Sequence, residues 1–162
     1  MIRFRSANPL QFGLLIAAGI AITAAGTLAA ATPPSPKAAI AARQANYKKI
    51  GGAMKAINDE MKNGGSNKAA MTNAAKTIAA MSRAQMPLFP NGSGASAGVK
   101  TDALPAIWQD RGTFDAQLKK LVAESDKLVA TTGSGNVAAI SAQYKVVGAT
   151  CKACHTKFRA DD

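Results

Sequence analysis

The stretch Cys151-Lys152-Ala153-Cys154-His155 holds the only two cysteines and the only histidine of a 162-residue chain. Two thiols separated by two residues lie about one helical turn apart. At that spacing each can add to one vinyl group of a haem, giving two thioethers. His155 is then held under the ring, where its imidazole can ligate iron. C-x-x-C-H reads as c-type haem attachment for this reason. Three other readings compete. A structural zinc site wants four ligands, and the chain offers one cluster of three. A thioredoxin-like pair follows a strand in a βαβ setting, and no strand pattern precedes Cys151. A plain disulfide suits an exported protein but leaves the place of the lone histidine unexplained. One covalently attached haem c accounts for all three residues, with the disulfide or redox pair as the alternative.

The elements that must position these residues read as helices. Alanine is abundant, and no segment after the N-terminal run alternates with period two. A first helix is expected over Pro36 to Lys62, capped by Ser35 and stopped by Asn63-Gly64-Gly65. Ile40, Tyr47, Ile50, Met54, Ile57 and Met61 form its stripe, with Arg43 in the remaining place. A second runs from about Asn67 to Gln85, where Pro87 stops it. A long glycine-rich loop follows, of the kind that is functional or disordered. The third helix begins near Asp102 to Pro105 and reaches about Ala130. The fourth runs from about Asn136 to Arg159 and carries the haem motif near its end. Alternating spacings of three and four predict an all-α, up-down-up-down antiparallel four-helix bundle.

The N-terminus reads separately. Arg3 and Arg5 precede FGLLIAAGIAITAAGTLAAA, an apolar, uncharged run that ends in small residues. That order is the order of a secretory signal. Residues 1–31 are therefore expected to be removed, with cleavage after Ala30 or Ala31, leaving residues 32–162 as one exported domain. A retained anchor is the lesser reading, because the run is short and weakly hydrophobic for a span. Export to the periplasm agrees with the motif, since c-type haem is attached outside the cytoplasm. Loss of Arg3 and Arg5 lowers the formal charge from +11 to +9. The lysines are spread out and aromatics are not interleaved with them, which argues against nucleic acid. The charge speaks instead to solubility and to docking of an acidic partner.

The chain resembles the cytochrome c-prime family, the class II c-type cytochromes. The likeness rests on ARQANYKKIGGAMKAI, LFPNGS, LPAIWQDRGTFDAQLKKLV and VGATCKACHTKFR, and on the C-terminal place of C-x-x-C-H. The resemblance implies a haem among the four helices with its edge reaching solvent. It implies that the residue four places after the first-helix arginine covers the open haem face. Low-spin members have a ligating methionine there; high-spin members have a bulky residue that does not ligate. Counting from Arg43, that position is Tyr47. Met54 is roughly 10 Å further along the helix axis and is expected to be out of reach. A tyrosinate ligand would need a proton lost that is normally held to about pH 10. The expectation is five-coordinate, high-spin iron bound by His155, open to nitric oxide or carbon monoxide. The alternative is a six-coordinate, low-spin carrier with a methionine ligand.

The resemblance further places Arg43 and Gln44 near the haem propionates, Phe89 and Trp108 against the ring, and Arg159 beside the proximal histidine. On the expected fourth helix, Arg159 would share the face of His155. Electron transfer with a redox partner and binding of small gases are the two functions implied, and the chain is not expected to be an enzyme. No second histidine stands on the first-helix stripe to serve as an acid-base catalyst. Homodimers through the first two helices are common in the family; Met71, Met81 and the alanines there suit either that interface or the core.

Overall fold

The structure, a computed structural model, describes residues 34–160. The expected signal segment lies outside the described residues. Five α-helices are found among them: α1 Pro36–Lys62, α2 Lys68–Gln85, α3 Ala106–Gln109, α4 Arg111–Ser134 and α5 Val137–Phe158. Among the described residues, no helix is long and apolar enough to cross a membrane.

Helix ends follow from local chemistry. Ser35 accepts a hydrogen bond from the amide of Ala38 at 3.4 Å, and Pro36 occupies the first helical position. Asn67 caps α2 through the amide of Ala70 at 3.0 Å, and Asn136 caps α5 through that of Ala139 at 3.0 Å. The turn between α1 and α2 requires glycine at residue 65. Its φ is +68°, and a Cβ there would fall 2.5 Å from a methyl carbon of Val137.

Three boundaries differ from the sequence reading. The third helix is not continuous. Asp110, with φ −125° and ψ 58°, breaks it into the single turn α3 and the long α4. The same residue caps α4, its carboxylate accepting from the amide of Thr113 at 3.4 Å. At the other end α4 passes Ala130 and continues to Ser134. There the hydroxyls of Thr131 and Ser134 bond back to helix carbonyls at 2.7 Å each, until Gly135 turns left-handed. The fourth long helix ends one residue early, at Phe158.

The four long helices make the expected bundle. α1 packs on α2, α2 on α4 and α4 on α5, whereas α1 and α5 touch only lightly. One apolar cluster fills the bundle around Ile57, Met71, Ile78, Leu128 and Ile140. Each such side chain contributes about 1.5–3 kcal/mol by leaving water. A second cluster, Phe89, Ile107, Phe114, Leu118 and Phe158, closes the end that carries the haem motif. Tyr47 packs against both clusters. The fold thus leaves its loosest seam between the helix that carries Tyr47 and the helix that carries the cysteines.

Candidate functional site

A cavity of about 780 Å³ opens at that seam. Cys151, Cys154 and His155 line it from α5, and Tyr47, Gly51 and Met54 from α1. Ile107, Phe114, Leu118 and Leu121 supply an apolar wall. Cys151 and Cys154 are separate thiols. Burial pushes the Cys154 thiol up to about 11, with Cys151 adding to it, and burial raises Cys151 too. Both are therefore protonated at neutral pH. Burial, then the nearby Arg159, lowers the pKa of His155, so its imidazole is neutral there. A neutral imidazole is the form that binds a metal.

Tyr47 faces this group from across the seam. Burial is the main cause that raises its phenol well above the ordinary value; the two cysteines add to it and Arg43 opposes. The phenol is thus neutral, and it lies near enough to both thiols to feel them.

Arg43 is 2% exposed. Its guanidinium donates to the carbonyls of Leu88 at 3.3 Å and Ser93 at 2.7 Å, and to the hydroxyls of Ser93 at 2.9 Å and Thr101 at 2.8 Å. It also lies 4.6 Å over the Phe89 ring. These partners are all neutral, and desolvation depresses the pKa of Arg43. One arginine thus pins the loop after α2 onto α1 while it faces the cavity. Gln44 is exposed at the cavity rim, where its amide donates to the carbonyl of Lys100 at 3.0 Å.

Phe89 is on the cavity wall, edge-on to Phe114 at 4.6 Å, and Phe114 is edge-on to Phe158 at 5.2 Å. Trp108 is the one expected site residue that the structure does not bring to the cavity. Its indole N–H needs an acceptor and finds the carbonyls of Pro90 at 3.1 Å and Phe89 at 3.3 Å. Those bonds lay the ring against Gly94, where a Cβ would fall 3.1 Å from it. Trp108 braces the loop that carries Phe89.

Arg159 stands beside His155 on the cavity wall. It is the C-cap of α5, with an extended backbone, φ −121° and ψ 137°, and its amide still donates to the carbonyl of His155 at 3.1 Å. It pairs with Ala103 in an isolated antiparallel bridge. Leu104 donates to the carbonyl of Phe158 at 3.0 Å and Ala160 to that of Asp102 at 2.8 Å. The bridge sets Arg159 between the main cavity and a second one of about 460 Å³ along α5.

Three site residues escaped the sequence reading. Ser93 and Thr101, in the glycine-rich loop, are acceptors for Arg43. Gln117 is on the cavity wall with its side-chain Oε1 buried and unpartnered. It falls three residues after Phe114 and four before Leu121, a polar residue on an apolar stripe, which was the available signal.

These residues fit a haem. The cavity is of ligand size and mostly apolar. Two thiols and a neutral imidazole converge on it. Arg43, a buried cation with no carboxylate in ion-pair range among the described residues, calls for an anion such as a propionate.

The model of the Cytochrome C' family matches residues 38–159, a span that runs from α1 through the C-x-x-C-H motif to Arg159. The chain belongs to the cytochrome c' family. It is 32% identical over 152 residues to cytochrome c' of Rhodospirillum rubrum, an alignment covering 91% of this chain and 98% of that protein. The fold is similar to the crystal structure of cytochrome c' from Thermochromatium tepidum, with a TM-score of 0.75 and 30% identity over 80% of this chain and all of that one. A second cytochrome c' structure, described as having an unusual ligand-controlled dimer dissociation, matches with the same TM-score, identity and coverage. Members of the cytochrome c' family carry a covalently bound haem c, and they are electron carriers or gas-binding haem proteins rather than enzymes.

Proposed function

We propose that this chain is an exported, periplasmic mono-haem electron carrier with five-coordinate, high-spin iron that also takes up nitric oxide or carbon monoxide. The observation that carries this reading is Tyr47, a neutral phenol on the cavity wall near both cysteines; the family resemblance assigns to this position the methionine that ligates iron in low-spin members.

When bound, the haem would supply an iron that changes oxidation state and can take a small gas as ligand. Cys151 and Cys154 hold the ring through thioethers. His155 supplies its neutral imidazole as the one protein ligand. Tyr47 keeps its proton and would fill cavity space facing the cysteines, excluding charged or bulky ligands. Phe89, Phe114 and Phe158 keep water from the closed end. Arg43 offers its positive charge to a propionate, and Arg159 adds a cation beside His155 that favours reduced iron.

One observation favours a second reading. Met54 lines the same cavity as Tyr47. A thioether that reached the iron would make a six-coordinate, low-spin carrier. Absorption spectra of the ferric and ferrous holoprotein distinguish the two. High-spin spectra that change on addition of nitric oxide support the first reading. A methionine-to-iron charge-transfer band supports the second.

A further inference from the structure

Gln117 and Tyr47 share the wall of the main cavity, and they share a deficit. Other polar groups on that wall have partners within the chain. Arg43 and Thr101 bond each other, Gln44 bonds the carbonyl of Lys100, and the hydroxyl of Thr150 donates to the carbonyl of Val147 at 2.6 Å. The side chains of Gln117 and Tyr47 make no hydrogen bond among the described residues, and Oε1 of Gln117 is buried. Buried polar groups are ordinarily paired, and an unpaired one is a cost to the fold.

Helix contacts put both residues at the cysteine end. The side-chain amide of Gln143 on α5 donates to the carbonyl and the carboxylate of Glu124 on α4, at 3.0 and 2.9 Å. The two helices run antiparallel. Two turns back along α4 and two turns on along α5 therefore bring Gln117 level with Thr150, next to Cys151. Tyr47 reaches the same end from α1. Its phenol feels both cysteines, and it packs on the clusters that hold Phe114, Leu118 and Leu121, the apolar residues around Gln117 on α4.

Neither group finds its partner in a haem ring. The propionates would go to Arg43, at the loop end of the cavity, and the ring edge that joins the cysteines is hydrocarbon. We propose that Gln117 is a ligand-contacting residue: its carboxamide and the Tyr47 phenol together hydrogen-bond a small neutral molecule, nitric oxide or a water in its place, at the cysteine end of the cavity. Both groups are uncharged, so the pair suits a neutral partner. It favours a molecule that accepts a hydrogen bond over one of similar size that accepts poorly, since the second leaves the polar groups unpaired. Gln117 thus sets specificity within the gas-binding reading above, on which the inference rests.

Two measurements on the haem-loaded protein test it. The first is the infrared C–O band of the carbon monoxide adduct. The wild-type band is expected to move in heavy water, because an exchangeable N–H or O–H touches the ligand. In Gln117→Leu it is expected to move to higher wavenumber, and nitric oxide is expected to leave about two- to tenfold faster, the worth of one hydrogen bond. The second is urea unfolding of the ferric protein without gas. A carboxamide that has a partner there makes Gln117→Leu the less stable protein; an unpaired one makes it the more stable. Moved bands give the site to the gas, whatever the urea midpoint. Unmoved bands with a lower midpoint for Gln117→Leu give it to a bound water. Unmoved bands with an equal or higher midpoint overturn the proposal. Should Gln117→Leu not take up haem, the heavy-water shift of the wild type decides alone, and its absence overturns the proposal. Failure of every form, wild type included, to take up either gas would sink the gas-binding reading, and the urea midpoint would still decide whether Gln117 has a partner.

Discussion

At the scale of single residues, the account turns on Tyr47. Its phenol is neutral because burial opposes the charged form; thioether formation would remove the cysteine contribution but not the burial. Replacement by a ligating side chain is the sharpest perturbation. Tyr47→Met is expected to convert the iron to a six-coordinate, low-spin form, read in the absorption spectrum. Tyr47→Ala should open the site and speed carbon monoxide association by on the order of tenfold or more in flash photolysis, about 1.4 kcal/mol off the barrier. The phenol also sets an alkaline limit. The folded chain holds the proton more tightly than the unfolded chain, whose tyrosine titrates near pH 10. Stability from this group is complete below that value and is lost as pH rises above it. Thermal melts of wild type should therefore fall relative to Tyr47→Phe above about pH 10, by on the order of 1 kcal/mol at about pH 11. Parallel curves for the two proteins would show that the phenol is not buried in the haem-loaded state. Arg43 is the other decisive residue. It gathers four hydrogen bonds in one fork. Arg43→Ala should cost about 3 kcal/mol in urea unfolding, and Arg43→Lys should restore little, because an ammonium cannot reproduce the planar fork.

At the scale of elements, the turn between α1 and α2 separates backbone strain from steric strain. Gly64 and Gly65 both have positive φ, but only Gly65 faces Val137. Gly64→Ala should cost about 1 kcal/mol from the left-handed backbone alone. Gly65→Ala should cost clearly more, about 2–3 kcal/mol, as the contact with Val137 adds to it. Equal losses in chemical denaturation would mean that α5 yields freely at that point. This turn was legible in the sequence, because Asn-Gly-Gly after a helical stripe has few other readings. So was the start of α1, where Ser35 and Pro36 give a cap and a first helical residue together. The break at Asp110 was not legible. An aspartate within a run of helical periodicity reads as a solvated face, and only the turn of the chain there makes it a cap. Trp108 was legible only as one of two alternatives, and it packs beside the second apolar cluster. The sequence marks a large aromatic beside Ile107 as core or ligand contact, but the carbonyls of Phe89 and Pro90 that claim its N–H come from eighteen and nineteen residues away. Arg159 stands one turn after His155 with its amide still bonded to that carbonyl, as its spacing indicated; the bridge to Ala103 that fixes its backbone was not legible.

At the scale of the molecule, helix packing and chemistry meet in one seam. α1, α2, α4 and α5 close a bundle with three well-packed interfaces and one loose one. The loose interface is where the cysteines, the histidine and the tyrosine converge, so the bundle is built around the volume a haem would take. That the motif suits haem attachment was legible from three residues. The residue facing it across the seam was placed by resemblance and by counting from Arg43, over a hundred positions away. The central claim is tested most directly by the absorption spectra of the purified haem-loaded protein, ferric and ferrous, before and after nitric oxide. The account predicts five-coordinate, high-spin spectra in both oxidation states and a new spectrum on addition of nitric oxide. Sharp low-spin bands with a methionine-to-iron charge-transfer feature in the ferric form, unchanged by nitric oxide, would contradict it.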